Sequence, residues 1–205
     1  MTSPRLLIAI AAVACAWGCS PPGSTQANGA ASPTRAFLDQ VRIVRVRMTT
    51  EDGTRIPALM RARDSSALID EGAKLAQLQL TLDKLDAANV DPAAVKFKRG
   101  VEATLRAYRS VCGDAAEFFR ELRDSDAKPS DRGPLSPGVT AALQSSQGDT
   151  LAALDAVGAA MGGLDTSGSE VLLAPIVNTL HADRSALSQA HHDENELARA
   201  VNETP

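Results

Sequence analysis

Aromatic side chains are scarce, with six in 205 residues. Trp17 lies near the N-terminus, so the rest of the chain has only Phe37, Phe97, Tyr108, Phe118 and Phe119. Proteins that stack on sugars or unpaired bases need several exposed rings, and a hydrophobic core would use up this few. Excess positive charge is also missing. The net charge is −4, whereas nucleic-acid affinity rests on Lys and Arg at phosphates, so no nucleic-acid partner is expected. The three cysteines, Cys15, Cys19 and Cys112, are too few for a disulfide framework. Cys-x-x-Cys-His is absent, which excludes c-type haem attachment. There is no Gly-x-Ser-x-Gly elbow for a hydrolase nucleophile. The glycines of "AAMGGLDTSGSE" (159–170) lack the spacing and preceding strand of a phosphate-binding loop. Neither an enzymatic activity nor a cofactor is expected from these residues.

Long apolar runs are missing too. The longest, "LLIAIAAVACA" at 6–16, falls short of the roughly 20 residues that span a hydrocarbon core. It follows a single positive charge, Arg5, and ends in small residues, which is the three-part pattern of a secretory signal over 1–18. The sequence "AWGC" (16–19) resembles the lipobox of bacterial lipoprotein precursors. Ala16 stands where that family usually has Leu, and Trp17 where it has a small residue. The resemblance implies that Cys19 becomes the first mature residue and is acylated through its sulfur and amino group. Cys15, preceded by "AVA", is a second box, with a shorter apolar run and no linker behind it. Several acyl chains on one residue hold a protein firmly, since each buried methylene contributes about 0.8 kcal/mol. Residues 19–31 then read as the lipidated cysteine and a flexible tether, and 32–205 as the folded domain. Ser20 occupies the place where Asp would imply inner-membrane retention, so the resemblance points to the outer membrane, facing the periplasm. The implied partners are that membrane and an envelope protein.

Beyond the tether the dominant signal is helical. Ser32-Pro33, Asp91-Pro92 and Ser136-Pro137 each join an N-cap acceptor to a proline suited to the first helical position. Ser167 with Glu170 has the spacing of a capping box. A first helix is expected over 33–51, carrying Phe37, Val41, Val44 and Met48. A second has Leu68, Leu75, Leu78, Leu82 and Leu85 on one face and ends at Asn89. A third runs from Pro92 to about Arg123, its stripe being Val101, Leu105, Tyr108, Cys112, Ala115, Phe119 and Leu122. The short link between the second and third makes them an antiparallel hairpin. A polar loop over 124–136 precedes a fourth helix over 137–163, and the last is expected over 169–202, kinked or delayed by Pro175. "VRVRM" (44–48) alternates like a strand but has no second strand to pair with. The fold class expected is all-α, an elongated up-and-down bundle of four or five helices.

Charge is uneven. Residues 34–63 carry a net +4, with seven arginines, and 64–205 a net −9. The arginines could lie against anionic headgroups. The preferred reading has them neutralise acidic helices of the same bundle, residues 165–205 above all. Metal candidates are confined to the last helix, where His191 with Glu194 and His192 with Glu196 have one-face spacing. Zinc sites need three or four convergent ligands. The other apolar stripes are expected to hold no acid at core positions, and "AHHDENE" (190–196) reads as a solvated face. No metal site is therefore expected.

Overall fold

The computed structural model describes residues 32–128, 133–146, 148–164 and 171–202. The leader, Cys19, the tether and the Ser167–Glu170 capping box lie outside the described residues. Helix α1 (Pro33–Arg47) starts at the Ser32 cap, whose hydroxyl accepts from the Arg35 N–H at 3.2 Å. It passes through a π-helical turn at Met48–Asp52 into α2 (Gly53–Ala62). This wider turn takes up one extra residue, so Ile56 and Met60 return to the inward face set by Val41, Val44 and Met48. Helical structure therefore continues eleven residues past the Glu51 limit expected from the sequence. Pro57 lies inside α2 and has no N–H to offer the carbonyl of Gly53, one turn back. That carbonyl accepts from Thr150 Oγ1 instead, at 3.4 Å.

The next junction is tight. Arg63 adopts φ +54°, its N–H donates to Met60 O, and the Asp64 N–H donates to Leu59 O. This double closure satisfies the last carbonyls of α2. Asp64 then caps α3 (Ser65–Asp83), accepting from the Ala67 N–H at 2.9 Å. Helix α4 (Pro92–Asp126) is capped by Asp91 and has 35 residues, about 52 Å of helix. The Asp91 N–H donates to Thr34 Oγ1 at 3.0 Å, which fastens the start of α4 to the start of α1. The α3–α4 hairpin is antiparallel as the spacing predicts, but α3 ends at Asp83, short of the expected Asn89, so the link runs over 84–91.

The region after α4 departs from expectation. The sequence predicts Ser136 as a cap, but helix α5 (Ser136–Ser145) begins at that residue and takes its acceptor from afar. Asp126, at the end of α4, accepts from the Leu135 N–H at 2.7 Å, the Ser136 N–H and the Ser136 hydroxyl. The single helix expected over 137–163 is two, because the chain breaks after Ser145 and Gly148 adopts φ +152°. Asp149 then caps α6 (Thr150–Met161). The last helix, α7 (Leu173–Asn202), holds Pro175 in its first turn, so the proline delays the start and leaves the interior unbroken.

With α1 and α2 counted as one continuous run, the described residues form six helical rods, not four or five, and no strand. The fold class is all-α. Helix α4 is central, packing against α3 on one side and α7 on the other. Helix α7 runs antiparallel to it, since Gly100 meets Leu197, Thr104 meets Ala190 and Tyr108 meets His191. One continuous apolar cluster links the helices, with Phe97, Leu105, Phe118 and Leu122 almost wholly buried. Cys112 is fully buried in that stripe beside Gly72, as expected for a packed thiol. Helix α1 belongs to this core through Phe37, Leu38, Val41 and Val44. No helix among the described residues is long and apolar enough to cross a membrane.

Candidate functional site

The inward face of α7 repeats every seven residues through Leu173, Leu180, Leu187, Glu194 and Val201. Glu194 therefore occupies a position that leucine or valine holds elsewhere on the helix. Asp183, three residues beyond Leu180, joins the same face. On α3 Glu71 lies one heptad before the buried Leu78, and it has no exposed surface. The expectation that the other stripes hold no core acid is thus incorrect for α3, and the "solvated" face of α7 is partly internal. A search for apolar residues passes over such positions. Extending the heptad back from Leu78 finds Glu71, and extending it from Leu187 to Val201 finds Glu194.

Each buried acid has a different solution to burial. Glu71 meets Arg55 Nε at 3.0 Å and Lys74 Nζ at 3.1 Å, and both cations reach in from half-exposed positions. Glu194, 2% exposed, accepts from Arg45 Nε at 2.6 Å. The same guanidinium donates to Asn195 Oδ1 at 2.9 Å and lies 5.9 Å over the Phe97 ring, so one side chain of α1 grips both α7 and α4. Gly100 permits the approach, since a Cβ there would stand 2.9 Å from Leu197 Cδ1. Glu194 Oε2 has no hydrogen-bond partner among the described residues.

Farther along the seam, Tyr108 Oη and His191 Nε2 share a hydrogen bond at 3.1 Å, with the rings edge to face. Beyond them α4 presents Ser110 and Asp114 to Asp183. The Ser110 hydroxyl donates to Asp114 Oδ2 at 3.3 Å. Burial pushes the Asp183 carboxyl up to about 7. The hydrogen bond and negative charge of Asp114 push the same way, and the Ser110 hydroxyl offsets part of the rise. Among the described residues Asp183 Oδ2 is buried without a hydrogen-bond partner.

The metal candidates do not converge. His191 turns to Tyr108, and Glu194 to Arg45. His192 is exposed, and Glu196 pairs with Arg199 at 2.6 Å on the surface. Among the described residues no group of three or more His, Cys, Asp or Glu side chains is placed to hold a metal ion. Several arginines of the basic segment do neutralise the bundle itself. Arg45 binds Glu194, Arg55 binds Glu71, and Arg42 donates to Asn202 Oδ1 and pairs with Asp39. The chemistry on offer in the α4–α7 seam is ion pairing, hydrogen bonding and exchange of a proton at Asp183. No family model, curated protein or solved structure matches the chain.

Proposed function

We propose that the chain is a lipid-anchored protein of the bacterial envelope, held by acylated Cys19 at the outer membrane and facing the periplasm. There its elongated up-and-down bundle acts as a non-enzymatic binding or structural module. The observation that carries the reading is the sequence from Leu6 to Cys19, followed by twelve polar and small residues before the helix cap at Ser32. Such a tether separates an anchor from a domain that needs no membrane-binding surface of its own. The folded part supports a structural or binding role in two ways. Arg45 and Arg55 are spent on joining helices through the buried Glu194 and Glu71, and Ile43 and Val46 stand more than half exposed on the outer face of α1. Metabolic labelling with a fatty acid tests the anchor. Cys19→Ser should abolish labelling and release the protein from the membrane fraction, while Cys15→Ser should leave both unchanged. Labelling that survives Cys19→Ser would overturn the assignment.

A second reading, a small-ligand carrier, is favoured by a groove of about 460 Å³ between α3 and α4. Its floor includes Gly72, Ala76 and Cys112, and Arg106 and Arg109 stand on its rim without a facing acid among the lining residues. That chemistry would suit an anion with an apolar body. Native mass spectrometry of protein purified without chelator separates the two readings. A stoichiometric bound species would favour the carrier.

A further inference from the structure

The first helical run sends its charge in two directions. Over 33–63 seven arginines stand against three acids, Asp39, Glu51 and Asp52. Arg45 turns inward to Glu194, and Arg55 reaches across to Glu71. Without those two, the run still holds five arginines to three acids. On the outer side of α1, opposite the buried Phe37, Val41 and Val44, two apolar side chains lie bare. Ile43 is 59% exposed and Val46 60%, and a spacing of three puts them on one face. With Asp39, Arg42, Arg47 and Thr50 they line a shallow hollow of about 650 Å³. Arg42 pairs with the one acid of the hollow, Asp39, at 3.5 Å. Arg35 is exposed about two turns nearer the N-terminus. Bare apolar side chains among arginines are the composition of a helix that lies in a headgroup layer, where guanidiniums meet lipid phosphates and their stems cover acyl surface. On α3 Ile69 and Leu80 are bare as well, but they are eleven residues apart, with the exposed acids Asp70 and Asp83 close by in the helix.

We propose that the outer face of α1 is the side the bundle turns to the bilayer, where Ile43 and Val46 enter a layer of anionic headgroups. This rests on the lipid anchor and adds the orientation of the domain upon it. Ser32 is thirteen residues from Cys19, a reach of about 45 Å at full extension, so α1 is the first helix the anchor brings to the surface. A weak face is enough there, because a tether makes the contact intramolecular and the local concentration high. Charge complementarity sets the direction. The arginine-rich run is drawn to lipid phosphate, and residues 64–205, with a net −9, are repelled by it. A second copy of the chain suits the face less well, since two such faces brought together would set arginine against arginine.

The test uses the mature lipidated chain in phosphatidylcholine vesicles with and without phosphatidylglycerol. Trp17 precedes Cys19 and leaves with the leader, so Val46→Trp supplies a single fluorescent reporter. With phosphatidylglycerol present its emission should shift to the blue and be quenched by brominated acyl chains. Both effects should fall away in pure phosphatidylcholine, and in 1 M NaCl, where the screening length is about 3 Å. Arg35→Gln should lower the ratio of engaged to free domains by up to about fivefold. Leu80→Trp, on α3, should read as in water throughout. Should Val46→Trp fold poorly, Ile43→Trp gives the same reading. A Val46→Trp reporter that stays in water on anionic vesicles, or a Leu80→Trp reporter quenched as strongly, would overturn the orientation. So would a shift that rises with protein density and ignores headgroup charge, which would give the face to a second copy. Fatty-acid labelling at Cys19 reads the anchor separately. Labelled protein with its reporter in water keeps the anchor and sinks the face, whereas unlabelled protein sinks both.

Discussion

Asp183 and Glu194 are eleven residues apart on α7, about 16 Å along one helix face, and both are buried toward α4. Glu194 is met by a guanidinium that α1 delivers across the seam. Asp183 is met by a second aspartate. The two ends of one interface thus solve the same problem, a carboxyl removed from water, by opposite means. An arginine keeps its charge at any working pH, so the Glu194 end fixes the register of α7 irrespective of conditions. At the Asp183 end burial pushes the carboxyl up to about 7, so its charge is set by the solution.

The comparison can be broken at either end. Arg45→Ala should have the largest effect, because it leaves Glu194 buried and charged without a cation. A loss of about 3–5 kcal/mol is expected in urea unfolding. The double variant Arg45→Met with Glu194→Met should recover most of it, and a single-variant loss below about 1 kcal/mol would show that the pair is solvated after all. At the other end the sign reverses. Asp183→Asn should stabilise the chain by about 2 kcal/mol at pH 8 and change it little at pH 5, measured in the same unfolding series. The hydrogen bond between Tyr108 and His191, between the two ends, gives the smallest change. Tyr108→Phe should cost about 1 kcal/mol. A double-mutant cycle with His191→Ala measures the coupling.

Much of the fold was legible in the sequence because its signals are local. Ser32 and Asp91 announce their helices by one side chain and one proline, and the Cys112 stripe repeats within a single helix. The fourth helix was misread because Gly148 and Asp149 lie in a weakly apolar stretch whose break depends on a cap at Asp149. Ser136 was misread because its acceptor comes from Asp126, ten residues back and on another helix. The seam was the least legible part. His191 and Glu194 were singled out as a pair on one helix face, yet each answers to a different partner, Tyr108 on α4 and Arg45 on α1. Their roles arise from helices brought together over some 80 to 150 positions of chain, which spacing within α7 cannot show.

The bond from Thr150 to the Gly53 carbonyl carries a consequence for how the chain assembles. Pro57 removes the local donor for that carbonyl, so the first helical run cannot complete its own hydrogen bonding. The missing donor arrives from α6, 97 residues later in the chain. An early piece ending before Thr150 would carry an open acceptor into its core, an error corrected only when the late segment docks. The proline thus ties the first helical run to α6, since the buried Gly53 carbonyl and the Thr150 hydroxyl are satisfied by one another.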